Sequence, residues 1–206
     1  YFHYKNITKY FYVRTNNKKG KGMQKTAIQI LTHNQLKYTQ QCIDSLFKCT
    51  SMVKTPFEVF VCDNASTDGT VEYLKGLEAA GKIKVIYNNE NAGFPKGHNQ
   101  IAQMSNSDYI CLLNNDVILT DTWLEKLLRC IRSDSDLAAV GPYANYSSGH
   151  QRSPIASNYK GDTELQLFAR KYSQPDKEVD FLVFFCTLIR RKVWDELGGM
   201  DEDFSP

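Results

Sequence analysis

Several patterns that mark common protein classes are missing from this sequence. No run of 18 apolar residues occurs along its 206 residues, so no segment is long enough to cross a bilayer as a helix. The N-terminus is basic and aromatic but lacks the apolar stretch of a secretory signal. Apolar residues make up 42% of the chain and charged residues 23%, which excludes wholesale disorder and predicts one globular domain of ordinary size.

The cysteines show none of the spacings that metal sites or redox motifs use. The six residues, at positions 42, 49, 62, 111, 130 and 186, form no C-x-x-C pair. Cys62 and Cys111 lie in apolar, strand-like runs, where cysteine behaves as a small buried hydrophobe. We therefore expect reduced thiols, as is typical of a cytoplasmic protein.

Acidic residues are missing from the N-terminal segment, which we interpret as a basic aromatic tail or linker (residues 1–22) before a folded domain (residues 23–206). This segment holds six of the 25 basic residues, so the remainder carries 19 basic against 23 acidic side chains. A mildly acidic body excludes nucleic acid as a partner. The tail is either solvated or loosely docked, or it contacts an anionic membrane surface, which would place the protein at the inner face of the membrane.

Strand and helix patterns alternate from Lys25 onward. Apolar, β-rich runs predict strands over residues 26–32, 57–62, 82–87, 109–113 and 138–143. Helical spacing predicts helices over residues 35–49, 68–80, 97–104 and 120–133. Residues 145–176 have weak periodicity, and there we expect a loop with a short helix near residues 163–172. This order predicts an α/β fold with a mainly parallel sheet flanked by helices. Ligands in such sheets bind beyond the carboxyl ends of the strands.

Polar residues follow each of the first four predicted strands. Turn chemistry alone would place some asparagine, aspartate and glycine in any one of these loops. All four loops together indicate a binding edge, formed by residues 32–34, 63–68, 88–93 and 114–116.

No glycine-rich phosphate cradle accompanies this edge. A dinucleotide fingerprint needs G-x-G-x-x-G after the first strand, whereas the G-x-G at residues 20–22 precedes it and Lys25 takes the third glycine's place. The P-loop pattern is absent as well. A divalent cation held by oxygen ligands is the natural replacement, and Mg²⁺ or Mn²⁺ suits such ligands. Asp116, together with Asn114 or Asn115, follows a buried strand and could present them.

The motifs at this edge resemble those of family 2 nucleotide-sugar glycosyltransferases of the GT-A fold. Their order and spacing, more than any single motif, carry the resemblance, which runs from about Thr26 to Phe204. The motifs are THN (32–34), DNASTDGT (63–70), NENAGFPKGHN (89–99), LLNNDVIL (112–119) and LGGMDEDF (197–204). The resemblance implies a Rossmann-like nucleotide-binding half followed by an acceptor-side segment.

The resemblance also implies a donor site at the strand ends. Asp63 matches the acid that contacts the pyrimidine ring, and Asp116 with Asn114 matches the D-x-D-type metal motif for Mn²⁺ or Mg²⁺. From the residues themselves, we interpret Asp68 as a helix cap and His98 as a helix-surface residue. The full set of nucleotide-binding candidates is Thr32, Asn34, Asp63, Asn64, Asn91, Gly93, Lys96, Asn99 and Asn115.

The acceptor side is expected near the C-terminal end. Asp201 and Glu202 match positions that line the acceptor, although a polar turn with a helix cap would use the same residues. Residues 179–191 match the strand that precedes the last helix in the family. Phe184, Phe185 and Cys186 stand where that strand commonly has a glycine or another small residue, which predicts a narrower or differently shaped acceptor pocket. In the family the base carboxylate follows this turn by several residues. We therefore expect a domain truncated at its C-terminal end, or else Asp201, Glu202 or Asp203 as the base.

The resemblance implies the inverting transfer of a sugar from a UDP- or dTDP-sugar to a hydroxyl acceptor, in polysaccharide or glycoconjugate synthesis. A non-catalytic nucleotide-sugar binding module, or an inactive fragment, remains the alternative because the base is missing and Asn114 replaces an acid. A nucleotidyltransferase fits less well, since residues 33–35 supply no glycine-rich, basic loop.

Overall fold

The computed structural model describes residues 24–145, 147, 151–153, 162–171 and 177–204. The tail predicted at residues 1–22 lies outside this part of the chain, as does the end of the domain at Pro206. In chain order the strands are β1 Thr26–Thr32, β2 Phe57–Asn64, β3 Lys84–Asn88, β4 Tyr109–Asn114, β5 Ala139–Val140 and β6 Cys186–Arg190. The helices are α1 Leu36–Cys49, α2 Thr70–Ala79, α3 Gly93–Ala102, α4 Trp123–Ser133, α5 Asp162–Lys171 and α6 Arg191–Leu197, followed by a 3₁₀ turn at Glu202–Phe204.

The strands form one sheet in the order β3-β2-β1-β4-β6-β5. The first four of these run parallel, whereas β6 is antiparallel to both β4 and β5. The prediction of a mainly parallel sheet flanked by helices is confirmed. As a result the carboxyl ends of β1 to β4 share one edge, where β6 begins.

Both faces of the sheet are covered, which explains why the residues of its central strands β1 and β4 are buried almost throughout. On one face, Ile28 and Ile30 of β1 join a core with residues of α1, α2 and α4. On the other face, Ile110 and Leu112 of β4 pack with residues of α3 and α6. Alternate residues of each strand therefore belong to different cores, and the strand ends project between the two helix layers.

Helix α3 begins at Gly93, four residues earlier than predicted, and it lies directly on the sheet. A Cβ atom at Gly97 would stand 2.3 Å from Cδ1 of Leu31, so a larger residue there would have to displace the Leu31 side chain for the helix to lie this close to β1. His98 is consequently buried, and the prediction of a helix-surface position is wrong.

The later strands are shorter than predicted. Strand β5 holds two residues instead of six, and Pro142, which cannot donate a ladder hydrogen bond, follows it after one residue. Strand β6 begins only at Cys186, because Phe185 turns back and donates its N–H to the Val183 carbonyl. The acceptor-side strand predicted over residues 179–191 is thus mainly irregular in its first half.

All six cysteines are free thiols, as expected, and five of them are buried. Within the described ranges, no helix combines the length and apolar character needed to cross a membrane.

Candidate functional site

The strand register brings the predicted residues of β1, β2 and β4 side by side. Thr32 pairs with Asp63, and Leu31 pairs with Asn114, so Asn115 lies level with Thr32 on the other side. Neighbouring strands are about 4.8 Å apart, which puts the Asp63 and Asn115 backbones roughly 10 Å from each other. Asp116 follows directly, and both aspartates therefore belong to one edge of the sheet.

Asp63 is a buried carboxylate, and only one of its two oxygens has a hydrogen-bond partner among the described residues. Its side chain is 1% exposed, and Oδ2 accepts the N–H of Ser66 at 3.0 Å. Oδ1 is also buried but has no hydrogen-bond partner among the residues that the structure describes. An unpaired oxygen removed from water is costly, so a water molecule or a ligand that donates a hydrogen bond here would be stabilised.

The loops after β1 and β2 are joined by short hydrogen bonds. The N–H of Asn34 donates to Oγ of Ser66 at 2.6 Å, and its Oδ1 accepts the N–H of Thr67 at 2.7 Å. Asn34 and Ala65 both have left-handed backbones, with φ of 58° and 61°. Such conformations are uncommon for residues other than glycine and are held here by the contacts between the loops.

Asn115 connects the end of β4 to β1 and α1. Its Nδ2 donates to Oγ1 of Thr32 at 3.2 Å and to Oγ1 of Thr39 at 3.0 Å, and the two hydroxyls lie 2.9 Å apart. These contacts fix the backbone immediately before Asp116, whose side chain is exposed.

A second network holds the β3–α3 loop against β2. Nδ2 of Asn64 donates to Oδ1 of Asn91 at 3.1 Å, while its Oδ1 accepts from Asn88 at 2.8 Å. Oδ1 of Asn91 also accepts the N–H of Gly93 at 3.0 Å, at the start of α3. His33 adds a contact of 2.6 Å between Nδ1 and the Asn64 carbonyl. Linked amides of this kind orient one another and keep the loop in one arrangement.

Asp68 accepts the first free N–H of two helices, as predicted for a capping acid, although the N-cap position of α2 is Gly69. Its carboxylate accepts the hydroxyl of Thr70 at 2.6 Å and the N–H of Thr70 at 3.2 Å, at the start of α2. It also accepts the N–H of Leu36 at 2.9 Å, at the start of α1. The hydrogen bond from the Thr70 hydroxyl, followed by that from Leu36, lowers the pKa of Asp68. The acid therefore positions the two loops that carry Asn34 and Ser66.

The metal candidates supply few protein ligands. Asp116 is exposed and Asn114 is half-buried, with its N–H bonded to the Phe185 carbonyl at 2.8 Å. Across the described ranges, no group of three or more His, Cys, Asp or Glu residues could hold a metal ion. One carboxylate with an amide oxygen fits a cation that arrives with a diphosphate, since Mg²⁺ commonly uses one or two carboxylates together with substrate phosphates.

The remaining candidates lie on α3 and at the acceptor-side turn. Lys96 is exposed on the first turns of α3, while Asp201 and Glu202 are exposed in the turn that follows α6. The Asn99 side chain contacts this turn, through Met200 and Glu202.

Sequence reasoning missed two residues that organise the site. Ser66 lies within the DNASTDGT motif, so its place in the motif was a usable signal. Thr39 lies in α1 and carried no such signal, because its role depends on Asn115, which is 76 positions away.

Comparisons with known proteins agree with this architecture. Residues 27–198 match the family model of glycosyl transferase family 2. A chondroitin synthase of Escherichia coli is 28% identical over 184 residues, which cover 87% of this chain and 24% of the relative. An uncharacterized glycosyltransferase of Haemophilus influenzae is 25% identical over 135 residues, or 65% of this chain and 41% of the relative. The chain spans less than half the length of these curated relatives.

A solved structure shows the same fold. The mannosyltransferase PcManGT from Pyrobaculum calidifontis, in complex with GDP-Man and Mn²⁺, superposes with a TM-score of 0.65 at 17% identity. The superposition covers 88% of this chain and 49% of that one. The expectation of a GT-A fold is confirmed, and because the family model matches most of the sequence, the chain belongs to glycosyl transferase family 2.

Proposed function

We propose that this domain transfers a sugar from a nucleotide-diphosphate sugar to a hydroxyl acceptor, with inversion at the anomeric carbon. The observation that carries the proposal is Oδ1 of Asp63 at the carboxyl edge of the sheet, which is buried and has no hydrogen-bond partner among the described residues. It lies where a nucleotide would dock, among loops already ordered by their own hydrogen bonds. Membership of family 2 supports glycosyl transfer as the reaction.

The donor is proposed to be a UDP- or dTDP-sugar. The N3–H group of uracil or thymine would donate to Oδ1 of Asp63, and hydrogen bonds to a charged acceptor are among the stronger ones. Guanine also carries N–H donors, and the PcManGT structure holds GDP-Man. A guanine nucleotide therefore belongs in the test as the competing donor.

A divalent cation, Mn²⁺ or Mg²⁺, would be held by Asp116 with Asn114. When bound, it would neutralise charge on the departing diphosphate as a Lewis acid. The Mn²⁺ of the PcManGT complex supports this assignment. Asn115 positions the backbone that carries Asp116, through its bonds to Thr32 and Thr39.

The acceptor would approach from the side of Asp201 and Glu202. A carboxylate base there, or one that follows this turn, would remove the proton of the acceptor hydroxyl. The hydroxyl oxygen would then attack the anomeric carbon from the face opposite the diphosphate. The similarity to a chondroitin synthase supports a saccharide acceptor and a place in polysaccharide synthesis. A cytoplasmic location, with the tail at a membrane surface, stays a proposal.

Calorimetry with UDP, dTDP and GDP, each with Mn²⁺, tests the donor site. We expect UDP and dTDP to bind at least tenfold more tightly than GDP, and a preference for GDP would contradict the pyrimidine assignment. Release of UDP from UDP-glucose and UDP-N-acetylglucosamine, with and without nitrophenyl glycosides as acceptors, then tests catalysis.

The non-catalytic binding module keeps one specific observation in its favour, namely the single carboxylate at the metal motif. Tight UDP binding without hydrolysis or transfer would support that module and contradict the proposed reaction. Turnover would exclude the module, and absence of binding by all three nucleotides would contradict both functions.

A further inference from the structure

Asn99 lies within the NENAGFPKGHN motif, but its amide contacts the acceptor-side turn. Its Oδ1 accepts the N–H of Met200 at 2.8 Å, and its Nδ2 donates to the Met200 carbonyl at 2.9 Å. The same Nδ2 donates to Oε1 of Glu202, also at 2.9 Å. Both Nδ2 protons are thereby used within the protein.

The backbone of the turn lies very close to the Asn99 side chain at Gly199. Gly199 has a φ of 88°, and a Cβ atom there would stand 2.5 Å from Oδ1 of Asn99. Met200 is buried and packs in the core that α3 and α6 share. The backbone of the turn is therefore fixed on one side by apolar packing and on the other by the Asn99 amide.

The two acidic residues of the turn differ in how they are held. Asp201 accepts the N–H of Asp203 at 3.1 Å, which is a contact inside the turn. Glu202 is connected to α3 through Asn99, a residue 103 positions earlier in the chain. Of these two carboxylates, the structure ties Glu202 to the helix that follows the donor-side loops.

We propose that Asn99 is a positioning residue for the acceptor side: it fixes residues 198–204 and aims Glu202 at the acceptor hydroxyl. This inference rests on the proposed function and assigns Asn99 a role other than nucleotide contact. Because one side chain connects α3 to the turn, the donor and acceptor halves of the site keep a constant separation. Errors of about 1 Å in such a separation can cost about 100-fold in rate.

Two substitutions test the proposal. Asn99→Ala removes all three hydrogen bonds, and Asn99→Asp keeps the size and the acceptor for Met200 while removing both donations. Asn106→Ala, at an exposed asparagine beyond α3, is the matched control. For each variant we would measure the UDP affinity by calorimetry, UDP release from UDP-N-acetylglucosamine with nitrophenyl glycosides, and the melting temperature.

We expect both Asn99 variants to lose about 10- to 100-fold in kcat while the UDP affinity stays within threefold of wild type. The control should match wild type in all three measurements. Weakened UDP binding with an unchanged kcat would show Asn99 to be a donor contact and overturn the proposal. Unchanged kcat and affinity would overturn it too, as would a parallel loss of kcat, UDP affinity and melting temperature in both variants.

A wild-type chain that releases no UDP would contradict the proposed function, but it would leave the positioning role open to a separate measurement. Hydrogen–deuterium exchange of the amides at residues 198–204 does not depend on turnover. Faster exchange there in Asn99→Ala than in Asn106→Ala supports the positioning role, and equal exchange overturns it.

Discussion

The polar residues of the site fall into two groups that differ in burial. Thr32, Asp63 and Asn64, at the ends of β1 and β2, are at most 2% exposed, and each is hydrogen-bonded to a neighbouring loop or helix. Asp116 and Glu202, at the end of β4 and in the C-terminal turn, are exposed. The first group is held by contacts within the protein. Of the second group, Asp116 follows the backbone that Asn115 fixes, and Glu202 accepts a hydrogen bond from Asn99.

Under the proposed function, this difference assigns ligand recognition to the buried group and chemistry to the exposed group. Buried groups whose partners are already in place can discriminate between ligands, because an unmatched ligand leaves a polar atom unsatisfied. Exposed carboxylates cost the fold little and remain available for a cation and an acceptor. Substitutions in the buried group should therefore change affinity or stability, and substitutions in the exposed group should change turnover.

The largest effect is expected at Asp116. Asp116→Ala should lower Mn²⁺-dependent turnover by about 100-fold or more, since the cation supplies several kcal/mol of charge stabilisation. The melting temperature should stay unchanged, because the side chain is exposed. Turnover with and without Mn²⁺ measures the effect, with Asp44→Ala on the surface of α1 as the control. A Mn²⁺ response that survives the substitution would place the metal ligand elsewhere.

Asp63→Asn should weaken UDP binding by about 10- to 100-fold. The amide has almost the same size but cannot accept from both Ser66 and the nucleobase, and a hydrogen bond to a charged group contributes about 1.5–3 kcal/mol. Calorimetry with UDP measures the change, and circular dichroism checks that the fold persists. If the variant bound UDP as tightly as wild type, Oδ1 would not be the contact with the nucleobase.

The next prediction concerns His98, which is buried in α3 against β1. Burial lowers its pKa to about 3, so the ring is neutral, with Nδ1 3.1 Å from Oε1 of Gln29. The unfolded chain takes up a proton below about pH 6.5 and the folded chain does not, so this residue reduces stability as the pH falls from 6.5 towards 3. His98→Gln keeps a donor for Gln29 but cannot titrate.

We expect His98 to lower the free energy of unfolding of the wild type at pH 5 by about 2 kcal/mol relative to pH 7. This corresponds to a fall of about 4–8 °C in melting temperature. The difference in melting temperature between pH 7 and pH 5 should therefore be smaller in His98→Gln than in wild type. Identical pH profiles for the two proteins would mean that the ring becomes protonated in the folded state.

The smallest effect is expected at Asp68, an exposed residue of the donor-side motif. Asp68→Ala should cost about 1 kcal/mol of stability, as is typical for the loss of a helix cap, and should leave UDP affinity within about threefold. Because the folded pKa is lowered, its contribution is present above about pH 3.8 and is lost below that. Thermal melts at pH 7 and pH 3 measure this, and a large loss of UDP affinity would reassign Asp68 to the ligand.

Parts of the fold followed directly from residue patterns. The strand predicted over residues 26–32 matches β1, and the helix predicted over residues 35–49 differs from α1 by one residue. Prediction was poorer where glycine, proline or aromatic residues interrupt the periodicity, as at α3, β5 and β6. His98 was misplaced for this reason, since its burial depends on the close approach that Gly97 allows.

The sequence by itself determined which residues come to the binding edge, because parallel strands covered on both faces all present their carboxyl ends on one side. Only the tertiary structure decided which polar side chains remain available to a ligand and which satisfy one another. Within the described part of the chain, a buried oxygen of Asp63 has no hydrogen-bond partner, whereas the Asn99 amide is bonded to Met200, a residue 101 positions away. Such pairings depend on distances of about 3 Å between distant parts of the chain, and residue order does not contain these distances.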